Sequence, residues 1–171
     1  TVTRLLPSLC PIILKEDVST LAGLTLKNVK IKALGRKKIF EDMGELLFTH
    51  RGISGPLALS MSAYINKFYI DGIKIIIDLK PALDENKLIN RINRDFLDSK
   101  NKLFKNSLDE LLPKSLIPII INLSKINADK QCNAVTAVER RFLANLLKKL
   151  TFTAQCLDDI DCAIVTSGGV S

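Results

Sequence analysis

The hydrophobic period of this chain changes twice, and that change limits what it can fold into. Up to about residue 80 apolar and polar residues alternate. Val29, Ile31 and Ala33 are separated by Lys30 and Lys32, the pattern of a half-buried antiparallel strand. Gly35 marks a turn into a strand over Lys37 to Met43. Ile73, Ile75, Ile77 and Leu79 fill one face of another strand, preceded by the hairpin dipeptide Asp71-Gly72. From Pro81 to Leu150 the period is helical. Leu88, Ile92 and Phe96 stand four apart, and Phe104, Leu108, Leu111 and Leu112 repeat the spacing up to Pro113. Ser115 is the expected cap of a further helix through Leu123, with Pro118 in its first turn, where a missing N–H is tolerated. Thr136 and Glu139 form a capping box opening a helix with the stripe Val138, Phe142, Leu146 and Leu150. After residue 150 Phe152, Ala154 and Cys156 alternate again, followed by Ile160 to Thr166.

Strands, then helices, then strands predict an α+β chain: a small antiparallel β-barrel interrupted by a helical bundle. Closure into a barrel removes exposed strand edges. The expected barrel subdomain is 1–80 plus 150–171, and the helical subdomain is 81–149.

Composition narrows the function. With 47% hydrophobic residues the chain has material for a core, while 5% aromatics and no Trp argue against an aromatic-lined pocket or a base-stacking platform. No apolar run approaches the roughly 20 residues that span a bilayer, so the expectation is a cytoplasmic protein with no membrane partner. The net charge of +7 permits nucleic-acid binding, but the basic residues fall where solvated faces are expected, which speaks against a nucleic-acid partner. Four cysteines without a C-x-x-C pair, and a single histidine, predict no metal site. Cys156 and Cys162 read as small buried hydrophobes.

The densest motif is Gly44-Glu45-Leu46-Leu47-Phe48-Thr49-His50-Arg51-Gly52-Ile53-Ser54-Gly55-Pro56. It reads as a short apolar strand, a loop holding His50, Arg51, Gly52, Ser54 and Gly55, and a helix from Pro56 to Ile65 with Leu57, Met61 and Tyr64 on one face. This string resembles the G-E-[LM]-L-F-T-H-x-G-[LI]-S-G-P motif of the aminoacetone-oxidase-like family of bacterial FAD-dependent (NAD(P)/FAD) oxidoreductases. Pro7-Ser8-Leu9-Cys10-Pro11-Ile12, Ile77-Asp78-Leu79-Lys80-Pro81 and Ala163-Ile164-Val165-Thr166-Ser167-Gly168-Gly169-Val170-Ser171 resemble three more of its segments, in the same order. The family's Gly-rich FAD-binding turn, G-x-G-x-x-G, occurs nowhere in this chain. The resemblance therefore implies the inserted middle region of a larger flavoprotein, with the Rossmann FAD-binding domain absent.

On this reading FAD belongs to the parent protein and none is expected on this segment, whose partner is the FAD-binding remainder of its own polypeptide. The implied chemistry is hydride transfer between a nicotinamide, NAD(P)H, or a small organic substrate and the flavin, and the isolated segment is expected to be inactive. Thr166, Gly168, Gly169 and Val170 are the cofactor neighbours the resemblance implies, on a loop after a strand. His50 is the candidate general base, because its ordinary pKa lies near neutrality. Its other reading is a loop-fixing residue bonded to backbone. Ser54 does not complete G-x-S-x-G and reads as an N-cap. The alternatives are a structural or oligomerisation insert, or a basic barrel module that binds nucleic acid.

Overall fold

The computed structural model describes residues 2–170. Its chain divides into two compact units: the residues up to Asp78 together with those from Thr151 onward, and Leu79–Leu150.

The first unit is built on β3 (Thr25–Leu34) and β4 (Lys38–Phe48), a long antiparallel pair turning at Gly35. Val29, Ile31 and Ala33 point inward as their alternation predicts, and Ile31 and Ala33 lie opposite Ile77 and Ile75 of β6 (Lys74–Asp78). The other face is polar. Glu41 is held there by Lys30, Lys38 and Lys32 at 2.7, 3.1 and 3.7 Å, and hydrogen bonds from Lys30 and Lys38 pull its carboxyl down to about 2. The sheet closes through β2 (Ile12–Leu14), β5 (Gly52–Ser54) and β7 (Leu150–Leu157) into a six-stranded antiparallel barrel in the order β2-β5-β4-β3-β6-β7. Inside it Phe48 and Phe152 meet edge to face, with centroids 5.8 Å apart. The helix α1 (Gly55–Ile65) packs Leu57, Ala58, Met61 and Ile65 inward. Tyr64 does not join that face; it stays half exposed and lies against Phe40 at 5.2 Å. Outside the barrel, β1 (Val2–Ser8) and β8 (Val165–Val170) form a two-stranded antiparallel ribbon.

The second unit holds α2 (Glu85–Asp98), α3 (Ile117–Ser124) and α4 (Ala137–Lys148). Asp84 caps α2 by accepting the Lys87 N–H, and Leu88, Ile92 and Phe96 form its buried face. The Thr136–Glu139 capping box closes in both directions, and Lys130 pairs with Glu139 at 3.0 Å.

Five local expectations need correction. Phe104 to Leu112 form no α-helix, only a 3-10 turn at Phe104–Asn106. The backbone there bonds sideways, Phe104 N–H to Lys130 O at 2.7 Å and Lys105 N–H to Ala128 O at 3.1 Å, and Phe104, Leu108, Leu111 and Leu112 are buried all the same. Ser115 is not the cap of α3; Leu116 holds that position without a side-chain bond. The buried face of α4 is Leu143, Ala144 and Leu147, whereas Val138 and Phe142 are 71% and 51% exposed. Two adjacent apolar rows run along this helix, and tertiary packing chose the other one. Asp71-Gly72 is no hairpin turn, since β6 pairs with β3 and β7 rather than with a strand just before it. Cys156 and Cys162 are exposed: at Cys156 a register shift between Ile13 and Leu14 sets Gln155 outside the β2–β7 ladder and reverses the alternation beyond Ala154, and Cys162 lies on a 3-10 turn, Ile160–Cys162, that buries none of its residues.

The cysteines give a direct check. Cys10 and Cys132 are buried, and burial raises the Cys10 thiol pKa despite the Ser62 hydroxyl beside it. A thiol reagent is expected to titrate two groups quickly and the other two only after unfolding. Four fast thiols would mean that the packing around Cys10 and Cys132 is open. No helix among the described residues is long and apolar enough to cross a membrane.

Candidate functional site

The motif segment turns out to be mostly scaffold. β4 carries the apolar Leu46–Phe48 stretch to Thr49, and the chain reverses over His50 and Arg51. Thr49 makes this turn: its N–H donates to Gly52 O at 2.9 Å, and its hydroxyl accepts the Gly52 N–H at 3.0 Å. His50 is exposed. Gly52 through Ser54 are the strand β5 rather than loop, with Gly52 opposite Ile13 and Ile53 opposite Ile12. Arg51 is exposed, and its carbonyl accepts the Leu14 N–H at 3.0 Å. A Cβ on Gly52 would lie 1.9 Å from the Ile12 oxygen, so only glycine fits there. Gly55 has φ +84°, and Ser54 holds the N-cap position of α1 with no side-chain cap bond.

The second predicted cluster, Thr166, Gly168, Gly169 and Val170, lies within β8 instead of a loop. Thr166, Gly168 and Val170 alternate onto the more exposed face of the strand. Gly168 has φ +99°, and a Cβ there would meet Arg4 O at 2.3 Å; at Gly169, φ +120°, a Cβ would meet nothing within 4 Å. Both strands of the ribbon are tied to α1 by Asn66, a residue that no sequence pattern marked. Its Nδ2 donates to Pro7 O at 3.1 Å and to Ser167 Oγ at 2.8 Å. Ser62, one turn earlier, accepts the Cys10 N–H at 3.0 Å. These are single buried polar residues near the end of an apolar helix, and periodicity carries no information about them. The structure thus joins the Pro7–Cys10 and Thr166–Gly169 motifs through α1.

Two further features bear on chemistry. A groove of about 750 Å³ runs between the β3–β4 turn (Gly35, Arg36, Lys37) and Phe68–Tyr69, floored by Ile39 and Ile73. Its size suits a small molecule with an apolar body, and Arg36 and Lys37 favour an anionic end. No group of three or more His, Cys, Asp or Glu among the described residues could hold a metal ion. No described segment supplies a Gly-rich strand–turn–helix for a dinucleotide, and the Gly168 site is filled by Arg4, so the residues present do not form a phosphate cradle for FAD. The charge is also unevenly placed. The helical unit has 14 of the 25 basic and 8 of the 18 acidic residues, a net +6, which leaves the barrel unit at +1. A basic barrel is therefore not what this chain contains.

A closed six-stranded barrel whose chain passes out into a separate helical unit, with a two-stranded ribbon beside it, defines a barrel-and-helix domain class. The chain belongs to the family described as HI0933-like protein barrel and H2TH domain, which matches residues 6–165. It is 26% identical over 173 residues to the 3-dehydro-bile acid delta(4,6)-reductase of Clostridium scindens, covering 99% of this chain and 42% of that protein. It is 31% identical over 166 residues to the ribosomal RNA dihydrouridine synthase of Haemophilus influenzae, with 95% of this chain and 38% of the relative covered. The synthase of the same name from Escherichia coli is 29% identical over 157 residues, covering 92% and 36%. The chain therefore spans about two fifths of the length of these relatives.

Proposed function

We propose that this chain is the barrel-and-helix portion of a flavin-dependent reductase, inserted in a cofactor-binding domain that supplies the FAD. The observation that supports it is the family match over residues 6–165, joined to relatives named for one kind of chemistry. A delta(4,6)-reductase and a dihydrouridine synthase are both named for adding two hydrogens to a carbon–carbon double bond. Bound flavin supplies such chemistry by passing on a hydride received from a nicotinamide. This chain's part is to orient the substrate and to seat the cofactor domain. The exposed side of β8, with Thr166, Gly168 and Val170, is the surface that meets that domain, and Gly169 leaves room beside it. His50 and Arg51, exposed on the motif turn, are the side chains free to reach a substrate.

The test is to express a longer protein that includes the flanking cofactor-binding sequence and to record its flavin absorbance before and after NADH or NADPH. A yellow protein that bleaches with either nucleotide is expected, together with a colourless preparation of the 171-residue chain alone. A longer protein that purifies without flavin would overturn the reading.

A further inference from the structure

Aromatic residues are few in this chain, and they are unevenly placed. Both tyrosines, Tyr64 and Tyr69, and two of the seven phenylalanines, Phe40 and Phe68, gather on the barrel unit near the groove of about 750 Å³. Phe40 and Tyr64 lie against each other, whereas Phe68 and Tyr69 stand 43% and 83% exposed as one wall of the groove. Its floor is the buried Ile73 and the half-buried Ile39. The backbone under this wall is pinned. Phe68 N–H donates to Ile65 O at 2.9 Å, Ile73 N–H to Ile70 O at 3.0 Å and Gly72 N–H to Ala154 O at 3.0 Å. Leu34, just before the opposite rim, lies across the β3–β6 ladder from Lys74. The low aromatic average predicts no aromatic-lined pocket, yet clustering supplies one locally.

The rim opposite the rings is cationic. Arg36 and Lys37 are exposed there, and among the described residues neither is in an ion pair. Lys67 stands over the Phe68 ring, 5.9 Å from its centroid, and brings a third cation to the same end of the barrel. No acidic residue is among the described residues that line the groove. The acids nearest along the chain are already engaged: Asp71 with Lys15 at 2.5 Å, and Glu41 with its three lysines. The unneutralised charge at the rim therefore selects an anion, and the planar fork of Arg36 matches the two oxygens of a carboxylate. An apolar floor alone accepts any apolar body. Two flanking rings favour a third ring, which gains from offset or edge-to-face contact beyond the area it buries.

We propose that this groove is a binding site for a small planar aromatic carboxylate. The carboxylate meets Arg36 and Lys37, and the ring lies against Phe68 and Tyr69 over Ile39 and Ile73. All of these residues belong to the barrel unit, so the site is complete within it. It is also independent of the reductase reading, because nothing in it calls on flavin; loss of either leaves the other standing.

The experiment is calorimetric titration of the intact 171-residue chain with 2-naphthoate. Saturable one-to-one binding is expected. Arg36→Gln/Lys37→Gln should weaken it about tenfold or more, the loss of charge-assisted hydrogen bonds, and Tyr69→Ser about fivefold, the loss of one ring contact. Lys27→Gln removes the same kind of charge about 25 Å along β3 from Gly35 and should change nothing. All four substituted positions are exposed, so the fold does not depend on them. Two ligands test the class. Undecanoate, a saturated carboxylate with as many carbons, should bind about fivefold more weakly, and the neutral 2-naphthylmethanol about tenfold more weakly. No saturable binding, or equal loss in Lys27→Gln, would overturn the site. Undecanoate binding as tightly as 2-naphthoate would overturn the aromatic ligand, and the alcohol binding as tightly would overturn the carboxylate.

Discussion

Gly52→Ala is expected to break the barrel, at a cost of about 3 kcal/mol or more, because the new methyl group would collide with backbone rather than with a side chain that can turn away. Its Cβ would stand 1.9 Å from Ile12 O and 3.0 Å from Ile13 Cα, in the β2–β5 ladder that helps close the sheet. Relieving the contact means parting the two strands, and with them the Leu14 N–H to Arg51 O bond at 3.0 Å. At roughly 4–8 °C per kcal/mol for a unit of this size, the melting midpoint should fall by more than 10 °C. Gly23→Ala is the control. Gly23 has φ +87° but nothing within 4 Å of a Cβ, so it isolates the conformational cost, about 1–2 kcal/mol. Equal losses in the two variants would show that collision at β5 is not what makes Gly52 necessary.

The second large effect is expected at Phe104. Its ring is fully buried and meets Phe96 edge to face, with centroids 6.0 Å apart and planes at 75°. Phe104→Ala should cost about 3–5 kcal/mol through lost burial and the cavity left behind, with the aromatic pair adding about 1 kcal/mol. Phe104→Leu should recover most of it. Hydrogen exchange locates the damage: the Phe104 and Lys105 amides, which bond to Lys130 O and Ala128 O, should lose protection together with those of Cys132 and Asn133. Native protection at all four amides would mean that this strand-like crossing stands without the ring.

The barrel was legible where one face is wet and the other dry. Val29, Ile31, Ala33, Ile75 and Ile77 alternate because their strands have solvent on one side, and the structure buries all five. The Thr136 capping box was legible because its chemistry is local. What failed depended on partners far along the chain. The Phe104–Leu112 stretch has helical spacing, yet its amides find acceptors in residues 128–130. The α4 stripe was assigned to the wrong one of two equivalent rows. Cys156 was placed inside because a bulge at Gln155 leaves no mark in the alternation. In the candidate site the motif residues stood out, but their reasons did not. Gly52 is demanded by the Ile12 backbone, a contact across 40 residues, and Asn66 carries no pattern at all.

The β1–β8 ribbon has a consequence for how such a unit can be moved about. Val2 lies opposite Val170 and Thr3 opposite Gly169, so these ends of the two strands stand about one strand spacing apart, near 5 Å. On the proposed insertion, a host protein could gain or lose this whole piece at the position of a single tight turn, with little disturbance to its own backbone. By the same geometry, a short linker could join the two strands and new termini could be opened at Gly35, giving a circular permutant with every ladder of the barrel retained.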